Sequence, residues 1–179
     1  MSLRAVSTLV AGAVLVLTGC STGVADGDSE GSEGSTGDGS TGSVATPPET
    51  DLAFTAETLD GSPFDGETLA GRPAVLWFWA PWCPTCRAQA PGVSRLAEQY
   101  DGQVSVVGVG GLADEGDIRD FAVQVDGPTH LIDEDGEVWR HFGVTAQSTY
   151  LVLDADGGVV AEGYLDDHVL ADKVEGLVG

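Results

Sequence analysis

The sequence predicts an α/β fold: a central mixed β-sheet flanked by helices, with an N-terminal β-hairpin extension. Three observations predict it. Ala74 to Trp79 is an uninterrupted apolar run of strand length, the pattern of a strand covered on both faces. A second apolar run, Val104 to Val109, follows a helical stretch, so the two strands pair in parallel across a right-handed crossover. Later, Thr149 to Leu153 and Val159 to Tyr164 flank Asp156-Gly157, a hairpin signal. A βαβ unit followed by αβ and then ββα gives a mixed sheet with helices on both faces.

The first fifty residues stand outside that fold. Arg4 supplies one positive charge, and Val6 to Leu17 is apolar but too short to span a bilayer as a permanent helix. Residues 1–19 read as a signal peptide. Leu17-Thr18-Gly19-Cys20 resembles a bacterial lipobox, which implies cleavage before Cys20 and lipid attachment to its sulfur. An ordinary secretory peptide, with Cys20 incidental, is the alternative. No twin-arginine pair is present, so Sec export is the expected route. After Cys20, residues 21–50 are rich in Gly, Ser, Thr and acids, with almost no apolar content. Such a segment buries too little surface to offset its ordering entropy, so residues 20–50 are expected to be a lipidated cysteine and a disordered tether. Its r.m.s. span is roughly 30 Å.

Residues 51–179 are long enough to bury a core without structural disulfides. Leu52 to Thr55 and Glu57 to Leu59 suggest the N-terminal hairpin or two short strands, with a turn at Asp60-Gly61-Ser62-Pro63. Glu67 to Gly71 reads as a helical turn. The helix from Cys83 to Tyr100 contains Pro91, and Val93, Leu96, Ala97 and Tyr100 keep helical spacing beyond it. Ile118, Phe121, Ala122 and Val125 form one face of a second helix, opened by the acids Asp114, Glu115 and Asp117. His130 to Ile132 is a short strand and Glu137 to Phe142 a helical turn. A last helix runs from Asp166 or Asp167 through Val178.

The stretch that carries chemistry is Val75 to Pro91, VLWFWAPWCPTCRAQAP. Cys83 and Cys86 sit three positions apart where a strand turns into a helix. That spacing lets the sulfurs close a small disulfide ring or separate as a dithiol. Free N–H groups and the macrodipole at a helix N-terminus favour a thiolate, so the Cys83 pKa is expected below the ~8.5 of a free thiol. Pro84 suits the first turn, where no N–H is needed. Cys86, one turn in, is expected to be the buried, resolving thiol. A structural disulfide and half of a zinc site are the other readings of C-x-x-C. Zinc needs four ligands, and His130, His141 and His168 lack zinc-finger spacing.

WFWAPWCPTC resembles the thioredoxin superfamily, and within it the extracytoplasmic TlpA/ResA/DsbE-like branch, with secreted DsbE/DsbF-like thiol:disulfide oxidoreductases nearest. The resemblance runs from about Leu52 to the C-terminus, with later landmarks at Gly71-Arg72-Pro73, Asp135-Gly136 and Phe142-Gly143-Val144. It implies a thioredoxin fold and dithiol/disulfide exchange at Cys83 and Cys86, with no metal or organic cofactor. Trp82, Pro84, Thr85, Gln147 and Ser148 are then the substrate-contact and tuning positions.

Three departures from the family pattern stand out. Ser148 falls where the family has a cis-proline in the loop before the hairpin. Either the Gln147–Ser148 bond is trans and the loop has shifted, or a cis bond persists at about 2.5–4 kcal/mol. The serine hydroxyl is also placed to hydrogen-bond a sulfur. Second, the positions where relatives carry a proton-accepting carboxylate are Trp77 and Gln89 here, leaving water as the expected relay. Exchange is expected to be slower than in relatives with the acid, and Gln89→Glu to speed it. Third, Pro84 and Thr85 between the cysteines are uncharged, which points to an intermediate potential; Thr85 is expected to donate to the Cys83 sulfur.

Seven basic and 29 acidic residues give a net charge of −22. A polyanion of this kind excludes nucleic acid as a partner and disfavours direct adhesion to anionic lipid. The expected partners are exported protein thiols or disulfides, a membrane redox donor or acceptor, and the membrane itself through the lipid anchor. The expected location is the outer face of the cell membrane. The resemblance leans toward oxidative folding; a reductase for apocytochrome or metallochaperone cysteines is the alternative. A thiol peroxidase would need Thr or Ser where Ala80 stands, and a redox-inert binding module would do no exchange. Arg87 is expected to face solvent, the three histidines to be surface or packing residues, and Trp77 and Trp79 to be mostly core. Trp79 is also a candidate to line the site.

Overall fold

A computed structural model describes residues 49–179. The expected leader, Cys20 and the linker up to residue 48 lie outside the described residues. The elements are β1 (Thr55–Thr58), β2 (Pro63–Asp65), a 3-10 turn (Gly66–Leu69), β3 (Ala74–Trp79), α1 (Pro84–Gln99), β4 (Ser105–Gly110), α2 (Glu115–Ala122), β5 (Thr129–Ile132), α3 (Glu137–His141), β6 (Thr149–Leu153), β7 (Val159–Gly163) and α4 (Asp167–Val178). The seven strands form one sheet in the order β2-β1-β5-β4-β3-β6-β7. β3, β4 and β5 are parallel, and the outer pairings are antiparallel. This is the thioredoxin fold that the resemblance implies, with the mixed sheet that the strand and helix pattern predicts.

β3 lies inside the sheet, and all six of its residues are buried. Its alternation sorts them onto two faces. Val75, Trp77 and Trp79 join the core under α1, α2 and α4, with Phe121, Val93, Leu170 and Val174. Leu76 and Phe78 join the opposite core, with Trp139, Val144, Leu131 and Leu69. The register explains how two indoles fit side by side. Trp77 lies opposite Gly108 and Trp79 opposite Gly110. A Cβ on Gly110 would come within 2.7 Å of the Trp79 ring, so the glycines of β4 make the room that the tryptophans fill.

The N-terminal hairpin is present but shifted. Its first arm is Thr55–Thr58 and its second, Pro63–Asp65, begins at the proline the sequence places in the turn. Leu52 to Phe54 is not strand: Phe54 packs instead against Phe64 and Phe142, with ring centroids 6.0 and 5.2 Å away. Tertiary burial of that ring overrides the local β tendency. Just before it, Glu49 bridges to Gly158 and the Thr50 N–H donates to Gly157 O at the β6–β7 turn. β1 pairs antiparallel with β5, and Arg119 of α2 bonds Glu57, Glu115 and the Leu59 carbonyl, tying α2 to the hairpin. Asp133 is buried because its two oxygens accept from the Val138 and Trp139 N–H groups, capping α3.

Candidate active site

The site is the junction of β3, α1 and the loop before β6. Cys83 is the N-cap of α1, in an extended conformation, and Pro84 takes the first helical position. The Cys83 sulfur therefore occupies the place of a capping oxygen, and the Cys86 N–H donates to it at 3.1 Å. Both cysteines are free thiols; Cys83 is 3% exposed and Cys86 0%. Cys83 lies at the rim and Cys86 beneath it, against Ala80, Ala90 and Tyr150 in the same core.

Ser148 completes the group. Its hydroxyl lies 3.2 Å from the Cys83 sulfur and 3.2 Å from the Cys86 sulfur, and the residue is 7% exposed. The expected serine–sulfur contact thus reaches both sulfurs. Ser148 has φ +67° and donates its N–H to Phe78 O at 2.9 Å. A proline could do neither, since its φ is fixed near −65° and it has no N–H. The backbone here is a different solution from a proline loop. Holding a non-glycine residue in the left-handed region costs of order 1 kcal/mol or more, set against that N–H bond and the two sulfur contacts.

The two thiols are driven apart electrostatically. Burial works to raise the Cys83 pKa, but hydrogen bonds from the Cys86 thiol, the Ser148 hydroxyl and the backbone of Cys86 and Thr85 outweigh it and hold it below the ordinary thiol value. Burial pushes the Cys86 thiol up to about 11, with the Cys83 thiol adding to the rise. The arrangement can present one nucleophilic thiolate at the rim and keep the second thiol protonated below it.

In the sequence Gln89 stands out only as a missing acid. It is buried and spans two elements: its Oε1 accepts from Trp77 Nε1 at 2.9 Å, and its Nε2 donates to Ser148 O at 3.4 Å. It ties the Ser148 loop to β3. Its partners are distant in sequence, so no local signal marks that role. Trp82 is 54% exposed beside Cys83, and its indole N–H donates to Leu112 O at 2.8 Å. Leu112 is itself exposed, with φ +57°, so the two place an apolar rim next to the sulfur. No sequence signal pointed to Leu112.

Two expectations, on Thr85 and Trp79, are corrected. Thr85 is exposed and reaches Cys83 through its backbone N–H rather than its hydroxyl. In the first helical turn the N–H groups point back at the cap while side chains leave toward solvent. Trp79 does not line the site; it is fully buried against Phe121 and His130. Arg87 is exposed, yet its guanidinium donates to Pro81 O and lies 5.0 Å from the Phe121 ring centroid. Pro84 is exposed at the helix start, and Gln147 is half-buried in the loop beside Ser148. His130 is a packing residue in the core, while His141 and His168 are exposed. Among the described residues no cluster of His, Cys, Asp and Glu could hold a metal ion.

Known proteins are similar to this chain in sequence and in fold. The soluble secreted antigen MPT53 of Mycobacterium tuberculosis is 45% identical over 107 residues, which is 59% of this chain and 61% of that protein. The thiol-disulfide oxidoreductase ResA of Bacillus thuringiensis is 30% identical over 113 residues, 61% of this chain and 64% of that protein. The matched region thus spans about three-fifths of the length of these relatives. The solved structure of MTB dsbF in mixed oxidised and reduced forms superposes with a TM-score of 0.67 at 44% identity, covering 74% of this chain and 99% of that one. A secreted Mycobacterium tuberculosis disulfide oxidoreductase homologous to E. coli DsbE superposes with a TM-score of 0.65 at 39% identity, covering 70% and 97%. The Redoxin family profile matches residues 45–176, which takes in every element of the sheet and both site cysteines, and the chain belongs to the Redoxin family.

Proposed function

We propose that this protein is an extracytoplasmic thiol:disulfide oxidoreductase, tethered to the outer face of the membrane through Cys20, that acts on exported proteins in the direction of oxidative folding. The observation that carries the exchange chemistry is the asymmetric dithiol. A rim thiol with a lowered pKa caps α1, and a buried thiol held up to about 11 lies within reach of the same hydroxyl.

In this reading a substrate thiolate attacks the Cys83 sulfur of the Cys83–Cys86 disulfide and Cys86 departs as thiolate. A second substrate thiolate then attacks the substrate sulfur of the mixed disulfide, releasing Cys83 and leaving the substrate oxidised. The reverse sequence reduces a substrate, with Cys86 resolving the mixed disulfide. Hydrogen bonds that stabilise the Cys83 thiolate stabilise the reduced protein, and this favours an oxidising potential. The names of the two mycobacterial relatives as secreted proteins support an extracytoplasmic location. The tether rests on Leu17-Thr18-Gly19-Cys20 alone.

Refolding of a scrambled disulfide substrate and reduction of insulin test the activity. The protein is expected to promote the first, Cys83→Ser to abolish it, and Cys86→Ser to accumulate a mixed disulfide at Cys83. A wild-type protein inert in both assays would leave a binding module. For the tether, Cys20→Ser is expected to move the protein from the membrane fraction to the medium; an unchanged distribution would overturn it.

A further inference from the structure

We infer that Ser148 is a catalytic residue whose single hydroxyl hydrogen serves both sulfurs in turn, bonding Cys83 when it is the thiolate and Cys86 when it is the departing or resolving thiolate. The inference rests on the exchange reading above and deepens it. Its basis is geometric. The Ser148 Oγ is equidistant, at 3.2 Å, from two sulfurs that carry negative charge at different stages of one reaction. It is almost fully buried, so its strength as a donor to an ion is little diluted by water.

The loop is held for this task. The Ser148 N–H is bound to Phe78 O, and its carbonyl accepts from Gln89, which is fixed in turn by Trp77. With both backbone groups engaged, the side chain needs only to rotate about one bond to move its hydrogen between the sulfurs. Besides Cys83, Ser148 is the one side chain within hydrogen-bond reach of the Cys86 sulfur among the described residues. The positions where relatives carry an acid are Trp77 and Gln89, which bond each other. The remaining titratable group facing Cys86 is Tyr150 of β6. Burial drives its hydroxyl well above the ordinary range, with Asp167 of α4 adding to the rise, so it stays neutral through the assay range.

The steps balance without another reactant. When a substrate thiolate attacks Cys83 Sγ, the Cys83–Cys86 bond breaks, the electron pair goes to Cys86 Sγ, and the hydroxyl turns its hydrogen to that sulfur. Solvent then protonates Cys86. When a second substrate thiolate breaks the mixed disulfide, the electron pair goes to Cys83 Sγ and the hydrogen swings to it. Ser148 begins and ends as the neutral alcohol.

The test uses Ser148→Ala and Ser148→Gly in the full chain. Both lack the hydroxyl, but glycine adopts φ +67° without the penalty that alanine, like serine, carries. Their stabilities should therefore differ while their thiol chemistry agrees. Both are expected to raise the inflection of the Cys83 thiolate titration. Both should shift the equilibrium with glutathione about tenfold toward the disulfide, or about 30 mV. Release of Cys86 from the disulfide by a thiol should slow about tenfold, the weight of one hydrogen bond to an ion. An unchanged Cys83 inflection in both variants would overturn the inference, as would a change in alanine that glycine does not share. The exchange reading fails separately, if the wild-type protein shows no glutathione-dependent transition; the thiolate titration still reports on the hydroxyl in that case.

Discussion

Gln89→Leu probes the polar tie beneath the site. The substitution puts a helix-compatible apolar side chain of similar size in place of the amide and removes the acceptor for Trp77 Nε1 and the donor to Ser148 O. Trp77 is fully buried, so its N–H is left without a partner, at a cost of about 1–3 kcal/mol. The bond to Ser148 is long at 3.4 Å and contributes about 0.5 kcal/mol. The expected loss is about 1.5–3.5 kcal/mol. With a urea m-value of about 1–3 kcal/mol/M, the unfolding midpoint of the reduced protein should fall by about 0.5–3.5 M. A double-mutant cycle with Trp77→Phe isolates the pair, because the phenylalanine has no N–H to strand. The Leu substitution should then cost at least about 1 kcal/mol less in the Phe background. Loosening the Ser148 carbonyl should also raise the Cys83 thiolate inflection. A Gln89→Leu cost below about 0.5 kcal/mol, or equal costs in both backgrounds, would refute the tie.

Three other predictions concern the two thiols and the strand pair beneath them. Alkylation of the reduced protein should rise with pH in two steps, the first below the ordinary thiol value for Cys83 and the second near about 11 for Cys86; a single step of two equivalent thiols would contradict the asymmetry. By linkage, the reduced protein gains stability as pH rises from the lowered Cys83 value to that of an unfolded thiol. It loses stability from there to about 11, where the unfolded chain sheds a proton that folded Cys86 keeps, so a stability maximum between the two windows is expected by urea unfolding. Gly108→Ala should destabilise by about 1–3 kcal/mol, since its Cβ would stand 2.6 Å from His130 Nδ1 and 3.0 Å from Trp79 Nε1. A thermal midpoint within a degree of wild type would show that the strand pair has slack.

What could be read from the sequence was what short-range chemistry determines. β3 is bounded by Pro73 and Pro81 and has no polar interruption, so its limits were legible to the residue. Cys83 followed by Pro84 marked the start of α1, and Asp156-Gly157 marked the β6–β7 hairpin. The misses depend on partners distant in sequence. The fit of Trp77 and Trp79 over Gly108 and Gly110 exists only once β3 and β4 are in register. Gln89 acquires its role from a strand residue twelve positions away and a loop 59 positions away. Ser148 was legible as a departure and as a sulfur ligand, but its left-handed backbone was not, because serine shows no local preference for it.

The reduction potential of the Cys83–Cys86 pair, by equilibration of the purified protein with glutathione, tests the central claim most directly. The account predicts one two-electron transition at about −120 to −180 mV, among oxidants and isomerases, with Cys83 as the sulfur trapped in the mixed disulfide. A value near about −270 mV or below would contradict the oxidative direction and favour a reductase, and the absence of any dithiol–disulfide transition would contradict the exchange chemistry itself.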